Sequence, residues 1–341
     1  MRSNAAVYID AGYLLASAAT RLTGSSFRQG IQPDYPKLIN GVLRQAEEIA
    51  GRPVLRSYWY DAAPNQSPDS DQRVIEMVPR VKLRLGRIGN EGQQKGVDLK
   101  IGLDMVTHAR NGAIDTLVLI SGDDDLTEAV DQAQVTGVEV IVLAVPDATG
   151  RPHGVSRHLH AAADRLDLLN SEMLEGAIAK RIAKTILAGA VANVLEASAP
   201  VIPHDVDAAL RHPSPVELAR PKPTAVRPTS PPPAAVPVYS TASGDAPSAT
   251  PQGHAPLNDV DPSEREEATQ RVVRAVLGAF LGSATQAELV ELKASRPSIP
   301  RELDSTLLRD LSDVLQIYSL TDSERHGLRN AFWAEMDAQD V

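Results

Sequence analysis

Two apolar runs in this chain end in acids, and that pattern constrains the fold more than any other feature. Thr116-Leu117-Val118-Leu119-Ile120 passes through Ser121-Gly122 into Asp123-Asp124-Asp125, and Ala5-Ala6-Val7-Tyr8-Ile9 runs directly into Asp10. Short apolar runs of this kind predict buried strands. In a parallel α/β sheet, sites gather beyond the carboxyl ends of the strands, where both sets of acids fall. Carboxylates gathered without basic partners repel one another, and a hard divalent cation such as Mg²⁺ or Mn²⁺ turns that cost into binding.

The stretch from Ala5 to Leu169 alternates such runs with helical periodicity. Residues 34–50 carry Leu38, Ile39, Val42, Leu43, Ala46 and Ile49 on one helical face. Further strands are predicted at 53–60, 114–120 and 138–145, with a short last one within 161–169. Helices are predicted at 71–85, 98–109 and 126–135, Pro79 weighing against the interior of the first. Strands alternating with helices imply a mostly parallel sheet covered by helices on both faces, an α/β fold.

Four segments follow from the changes in pattern. Residues 1–170 form the α/β domain, and Ala-rich 171–199 is predicted as a terminal helix packing on it. More than half of the chain's 25 prolines lie between Pro200 and Pro262. A segment of that composition cannot bury enough surface to fold, so 200–263 reads as a disordered linker. Residues 264–341 regain helical spacing, and Thr321-Asp322-Ser323-Glu324 has the form of a capping box, so a small all-α module is expected there. The linker and these helices are the places where a protein partner would bind.

With no cysteine, disulfides, thiolate metal sites and a Cys nucleophile are excluded. Neither a glycine-rich phosphate loop nor a Gly-x-Ser-x-Gly elbow is present. No apolar run approaches membrane-spanning length, and the N-terminus lacks an apolar leader, so a soluble cytoplasmic protein is expected. The net charge of −10 argues against broad attraction to nucleic acid. One dense basic stretch stands out, with Arg84, Arg87, Lys95 and Lys100 beside Asp98, and glycines at 86, 89, 92 and 96 mark its centre as a flexible loop.

Tyr8-Ile9-Asp10-Ala11-Gly12, Lys95-Gly96-Val97-Asp98 with Asp104, Ser121-Gly122-Asp123-Asp124-Asp125-Leu126, Gly137-Val138-Glu139-Val140 and Ala163-Asp164-Arg165-Leu166 resemble, in order and spacing, the NYN domain of the PIN-like nuclease superfamily. The resemblance implies a PIN-like Rossmannoid sheet and a Mg²⁺- or Mn²⁺-dependent ribonuclease. It carries Asp10, Asp98, Asp123 and Asp125 over as metal-binding and catalytic acids. Asp104 matches a further recurrent acid of the helix and Asp124 a variable position; Ser121 is either a turn-forming residue or a supporting contact to phosphate through its hydroxyl. Where the family usually has Asn, three residues after its first Asp, Tyr13 stands here.

Phosphodiester hydrolysis needs an activated water and neutralisation of phosphate charge, and divalent ions on carboxylates supply both. The substrate expected is RNA, single-stranded for a flexible basic rim at Arg84, Arg87, Lys95 and Lys100, and the cut endonucleolytic. Two other readings compete: a catalytically inactive RNA- or protein-binding adaptor on the same fold, and a Mg²⁺-dependent phosphatase using Asp10 as nucleophile. The phosphatase reading expects a companion acid two residues on, where Gly12 stands. His158 and His160 offer no shared helix face and no third ligand nearby.

Overall fold

All six residues of β1, Ala5–Asp10, are buried, and its five apolar ones divide between two cores. Ala5, Val7 and Ile9 enter one, whereas Ala6 and Tyr8 enter the other. A strand covered on both faces reads as a continuous apolar run, which is why the segment is unbroken in sequence. The computed structural model describes residues 3–88, 94–182, 262–317 and 320–339.

Along the chain, β1 leads into α1 (Ala11–Thr23), β2 (Ile31–Pro33), α2 (Tyr35–Ala50), β3 (Val54–Ala63), α3 (Ser70–Glu76), β4 (Val81–Ile88) and β5 (Gln94–Lys95). Then come α4 (Val97–Arg110), β6 (Thr116–Ile120), α5 (Thr127–Gln134), β7 (Glu139–Ala144), α6 (Arg157–Ala162), β8 (Arg165–Leu168), α7 (Ser171–Ala177) and β9 (Ile178–Lys180). The main sheet has the order β5-β4-β3-β1-β6-β7-β8. Its strands run parallel except β5, which forms an antiparallel pair with the end of β4. β2 and β9 pair separately. The chain leaves β1 towards β3 on one side and returns to β6 on the other, so β1 and β6 flank the switch point of an open α/β sheet.

Helices α1 and α2 cover one face with the core that includes Leu14, Leu38, Leu43 and Trp59. Helices α4 and α5 cover the other with Ile101, Met105 and Val130. Tyr58, Trp59 and Tyr60 are all buried in these layers, so they are core residues.

Two expectations change, and a third point was not anticipated. The helix predicted over 71–85 ends at Glu76, and Val81–Ile88 is a strand. Pro79 stops the helix, and Val81, Leu83 and Leu85 then alternate with Lys82 and Arg84 at the period of a strand. The basic stretch is therefore a near-edge strand up to Ile88, and residues 89–93 of the expected loop lie outside the described ones. The helix predicted over 171–199 closes at Ala177 and gives way to β9, with 183–199 outside the described residues.

The third concerns α1, which the sequence did not announce. Seven of its thirteen residues are buried and none is exposed, so no polar face marks it out in sequence. Asp10 caps its first turn by accepting the Tyr13 N–H at 3.1 Å, and Gly24 ends it at φ 82°, a left-handed conformation that costs glycine little.

The C-terminal segment forms α8 (Pro262–Ser283), α9 (Gln286–Ser295), α10 (Arg301–Leu315) and α11 (Asp322–Ala338). The Thr321 capping box is present, its hydroxyl accepting the Glu324 N–H while the Glu324 carboxylate accepts from Thr321. These helices belong to one compact unit with the α/β domain. Phe27, from the α1–β2 connection, is buried in the helical core and meets Phe280 edge-on at 6.1 Å. Asp310 of α10 accepts from the Ser25 hydroxyl at 3.0 Å and the Ser26 N–H at 3.1 Å. The linker of 200–263 lies outside the described residues up to Asp261. No helix among the described residues is long and apolar enough to cross a membrane.

Candidate metal centre

Each acid arrives at the site by a local device. Asp10 ends β1, and its two oxygens are held separately. Oδ1 takes the Tyr13 N–H, and Oδ2 accepts the Ser121 hydroxyl at 3.1 Å. Ser121 lies just beyond β6, the strand beside β1, so sheet pairing puts these two residues together. Asp123 caps the short 3-10 turn Asp124–Leu126 by accepting the Asp125 N–H at 3.0 Å. Asp98 stands in the first turn of α4, behind the left-handed Gly96 at φ 75° that occupies its N-cap position.

Electrostatics ties the four together. Burial pushes the Asp10 carboxyl up to about 6; hydrogen bonds from Tyr13, Ser121 and Gly12 pull it back, and the Asp98 charge adds to the rise. Asp98 is also raised, first by burial and then by Asp123 and Asp125. Two buried or half-buried carboxyls, Asp10 and Asp98, each raised by burial and by neighbouring acids, mark a place where positive charge is favoured.

The remaining predicted residues divide. Asp104 turns away from this group, accepting from the Tyr60 hydroxyl at 3.0 Å and pairing with Arg84 Nε at 3.0 Å. Arg84 is thereby committed to Asp104 and stacks over Tyr58 at 5.8 Å. Arg87 and Lys100 remain at the surface, Arg87 exposed and Lys100 partly so. Lys95 lies in β5, opposite Arg87 in the ladder.

Two arrangements were not legible in the sequence. Tyr13 donates its hydroxyl to the His153 carbonyl at 2.7 Å and accepts the Val145 N–H at 3.2 Å, pinning the connection after β7 beside Asp10. Its ring lies against Gly122 and Gly154, where a Cβ on Gly122 would overlap the Gly154 carbonyl. Asp124 accepts the Ser156 hydroxyl at 2.6 Å and lies 3.1 Å from His158 Nδ1. No local spacing signals either contact, since each joins residues far apart in the chain.

A doubly flanked parallel sheet, with acids at the β1/β6 switch point and on the first turn of the intervening helix, now stands beside the comparison with known families. The family model of the NYN domain matches residues 4–169. This part of the chain is an NYN domain. A relative from Sinorhizobium fredii (strain NBRC 101917 / NGR234), described as uncharacterized protein y4oD, is 46% identical over 81 residues, 24% of this chain and 38% of that protein.

NYN domains belong to the PIN-like nuclease superfamily, which implies a divalent metal. Among the described residues no three carboxylate or imidazole groups form a ready-made cage. The donor chemistry nevertheless fits a hard cation: carboxylate oxygens only, one of them buried and short of compensating charge. Asp10, Asp98, Asp123 and Asp125 are the residues that would hold it.

Proposed function

We propose that this NYN protein is a metal-dependent ribonuclease, cutting single-stranded RNA internally at the acids of the β1/β6 switch point. The observation that carries the reading is the ionisation penalty of Asp10, buried at the end of β1 beside Asp98, and of Asp98, which faces the charges of Asp123 and Asp125. Folding tolerates such a penalty most readily where a ligand relieves it. A bound Mg²⁺ or Mn²⁺ would supply phosphate charge neutralisation and a water acidified for attack.

The chain's own residues supply the rest. Tyr13 N–H and the Ser121 hydroxyl fix the two oxygens of Asp10, so the carboxylate needs no reorganisation when a cation arrives. Asp98 and Asp123 present further oxygens from α4 and from the turn after β6. Asp125, exposed at the outer side of that turn, is suited to orient the attacking water. Arg87 and Lys100 offer cations to the RNA backbone.

The adaptor reading has one observation in its favour: Tyr13 occupies the position of the family's usual Asn and spends its hydroxyl on backbone groups. Cleavage of end-labelled single-stranded RNA in Mn²⁺, Mg²⁺ or EDTA separates the two. Wild type is expected to cut only with metal, and Asp10→Asn and Asp123→Asn to lose at least about a hundredfold in rate, as for loss of a charge-stabilising group. RNA binding without cleavage under any metal would replace the nuclease by the adaptor.

A further inference from the structure

We propose that helix α6 carries a second RNA-backbone contact, made by His158 and Arg157, on the opposite side of the acids from β4 and α4. The proposal rests on the reading of this site as one that binds RNA. Sheet order sets the two sides. Asp10 and Asp123 follow β1 and β6 at the centre, β4 lies two strands away on one flank, and α6 follows β7 on the other. The cations at Arg87 and Lys100 account for one flank only. An extended strand crossing the acids needs backbone contacts on both sides if the scissile phosphate is to be held centrally.

The α6 side is built for such a contact. Asp124 lies between two acids of the centre in sequence, yet it turns outward and holds His158 through Nδ1, with its oxygens at 3.1 and 3.2 Å. The Ser156 hydroxyl braces the same carboxylate at 2.6 Å, so the imidazole has a fixed anchor. The Ser156 N–H also donates to the Gly122 carbonyl at 3.0 Å, and Gly154 fits directly against Gly122. The first turn of α6 is thus tied to the loop that carries Asp123.

Folding has little need of this pair. The His158 side chain is 79% exposed, and surface ion pairs of that kind contribute little to stability. His158 Nε2 has no partner among the described residues, and Arg157 is exposed and makes no ion pair among them. With Nδ1 engaged by Asp124, Nε2 is the ring atom left to meet an anionic oxygen, as a donor when it carries a proton, and the Arg157 guanidinium stands next to it in the chain. A phosphate flanking the scissile one is the group that chemistry selects.

The test is fluorescence anisotropy of the full-length protein with a labelled single-stranded oligoribonucleotide of about 12 nucleotides, within the span of a single-strand groove. Binding is read in Ca²⁺ across a salt series, and cleavage of the same RNA is followed in Mn²⁺. His158→Gln is expected to weaken binding roughly fivefold, in the range of one hydrogen bond to phosphate. Arg157→Gln is expected to lower the slope of log affinity against log salt by about 0.7, one phosphate contact on a single strand. In cleavage, His158→Gln is expected to raise KM more than it lowers kcat, and to lose less on a mononucleoside aryl phosphodiester, which has no flanking phosphate.

Wild-type affinity and salt slope in both variants would overturn the contact, while wild-type cleavage would leave the nuclease reading intact. Equal losses on the RNA and the aryl ester would also overturn it, because a flanking contact cannot act on a substrate without a flank. Variant-sensitive binding with no cleavage in any metal would support the contact and sink the nuclease reading. A wild type that binds no RNA would overturn the contact outright.

Discussion

Replacing Asp10 by Asn is predicted to stabilise the metal-free protein at neutral and alkaline pH. The Asp10 carboxyl titrates at about 6 in the fold against an ordinary value of 3.8, because burial and Asp98 disfavour its charge. A difference of about two units corresponds to about 3 kcal/mol at pH values above both. The direction follows from proton binding. Between the two values the folded state holds the proton more tightly than the unfolded chain, so raising the pH costs the fold stability. The penalty is negligible well below 3.8, is about 1 kcal/mol near pH 4.5, and is complete above about pH 7.

Asn removes the ionisation and keeps the local geometry. Its Oδ1 can still accept the Tyr13 N–H, and the Ser121 hydroxyl can turn to accept from Nδ2. The gap between variant and wild type should therefore widen by about 2 kcal/mol from pH 4.5 to pH 8. At about 2–4 °C per kcal/mol for a domain of this size, that is about 4–8 °C in melting temperature, read by thermal scanning fluorimetry in EDTA. Adding Mn²⁺ at pH 8 should raise the wild type and leave the variant nearly unmoved. A gap independent of pH, or a variant less stable at pH 8 than at pH 4.5 relative to wild type, would refute the claim that Asp10 is held as a strained anion.

Two further predictions concern the surroundings of the site. Tyr13→Phe leaves the Val145 N–H and His153 carbonyl without the hydroxyl that joins them, and should cost about 1–3 kcal/mol in urea unfolding while the wild-type far-UV circular dichroism is retained. An unchanged urea midpoint would show that the hydroxyl does not hold the connection after β7. Phe27→Ala empties the meeting point of the NYN domain and the helical module and should cost about 3–5 kcal/mol. Limited proteolysis should then release the C-terminal helices faster than from wild type, and equal rates would mean that the helices are held elsewhere.

How far the fold could be read in sequence depended on how each element is covered. β1, β6 and β7 are buried on both faces and appear as unbroken apolar runs. β4 does not stand out in the sequence because its outward residues are Lys and Arg, so that a near-edge strand carries the composition of a solvated helix. α1 carried no legible stripe because so much of its surface is buried. In the C-terminal module the Thr321 capping box lies within one turn, and it was legible for that reason.

The same division runs through the site. That acids stand at strand ends was determined by the sequence alone, because a strand, a turn and a following Asp are neighbours along the chain. Which acids meet was decided by tertiary structure. Asp10 and Ser121 are 111 residues apart and touch only because β6 inserts beside β1. Asp104, matched to the same family pattern, turns instead to Tyr60 and Arg84, whose strands lie on the other flank. Asp124 differs from its neighbours Asp123 and Asp125 by facing His158, which arrives from a later helix. Composition marked the C-terminal helices as a separate module, yet Phe27 and Asp310 fasten them to the α/β domain. The physical reason is common to all four cases: backbone geometry fixes where a side chain starts, while long-range packing fixes what charge or hydrophobic surface it meets.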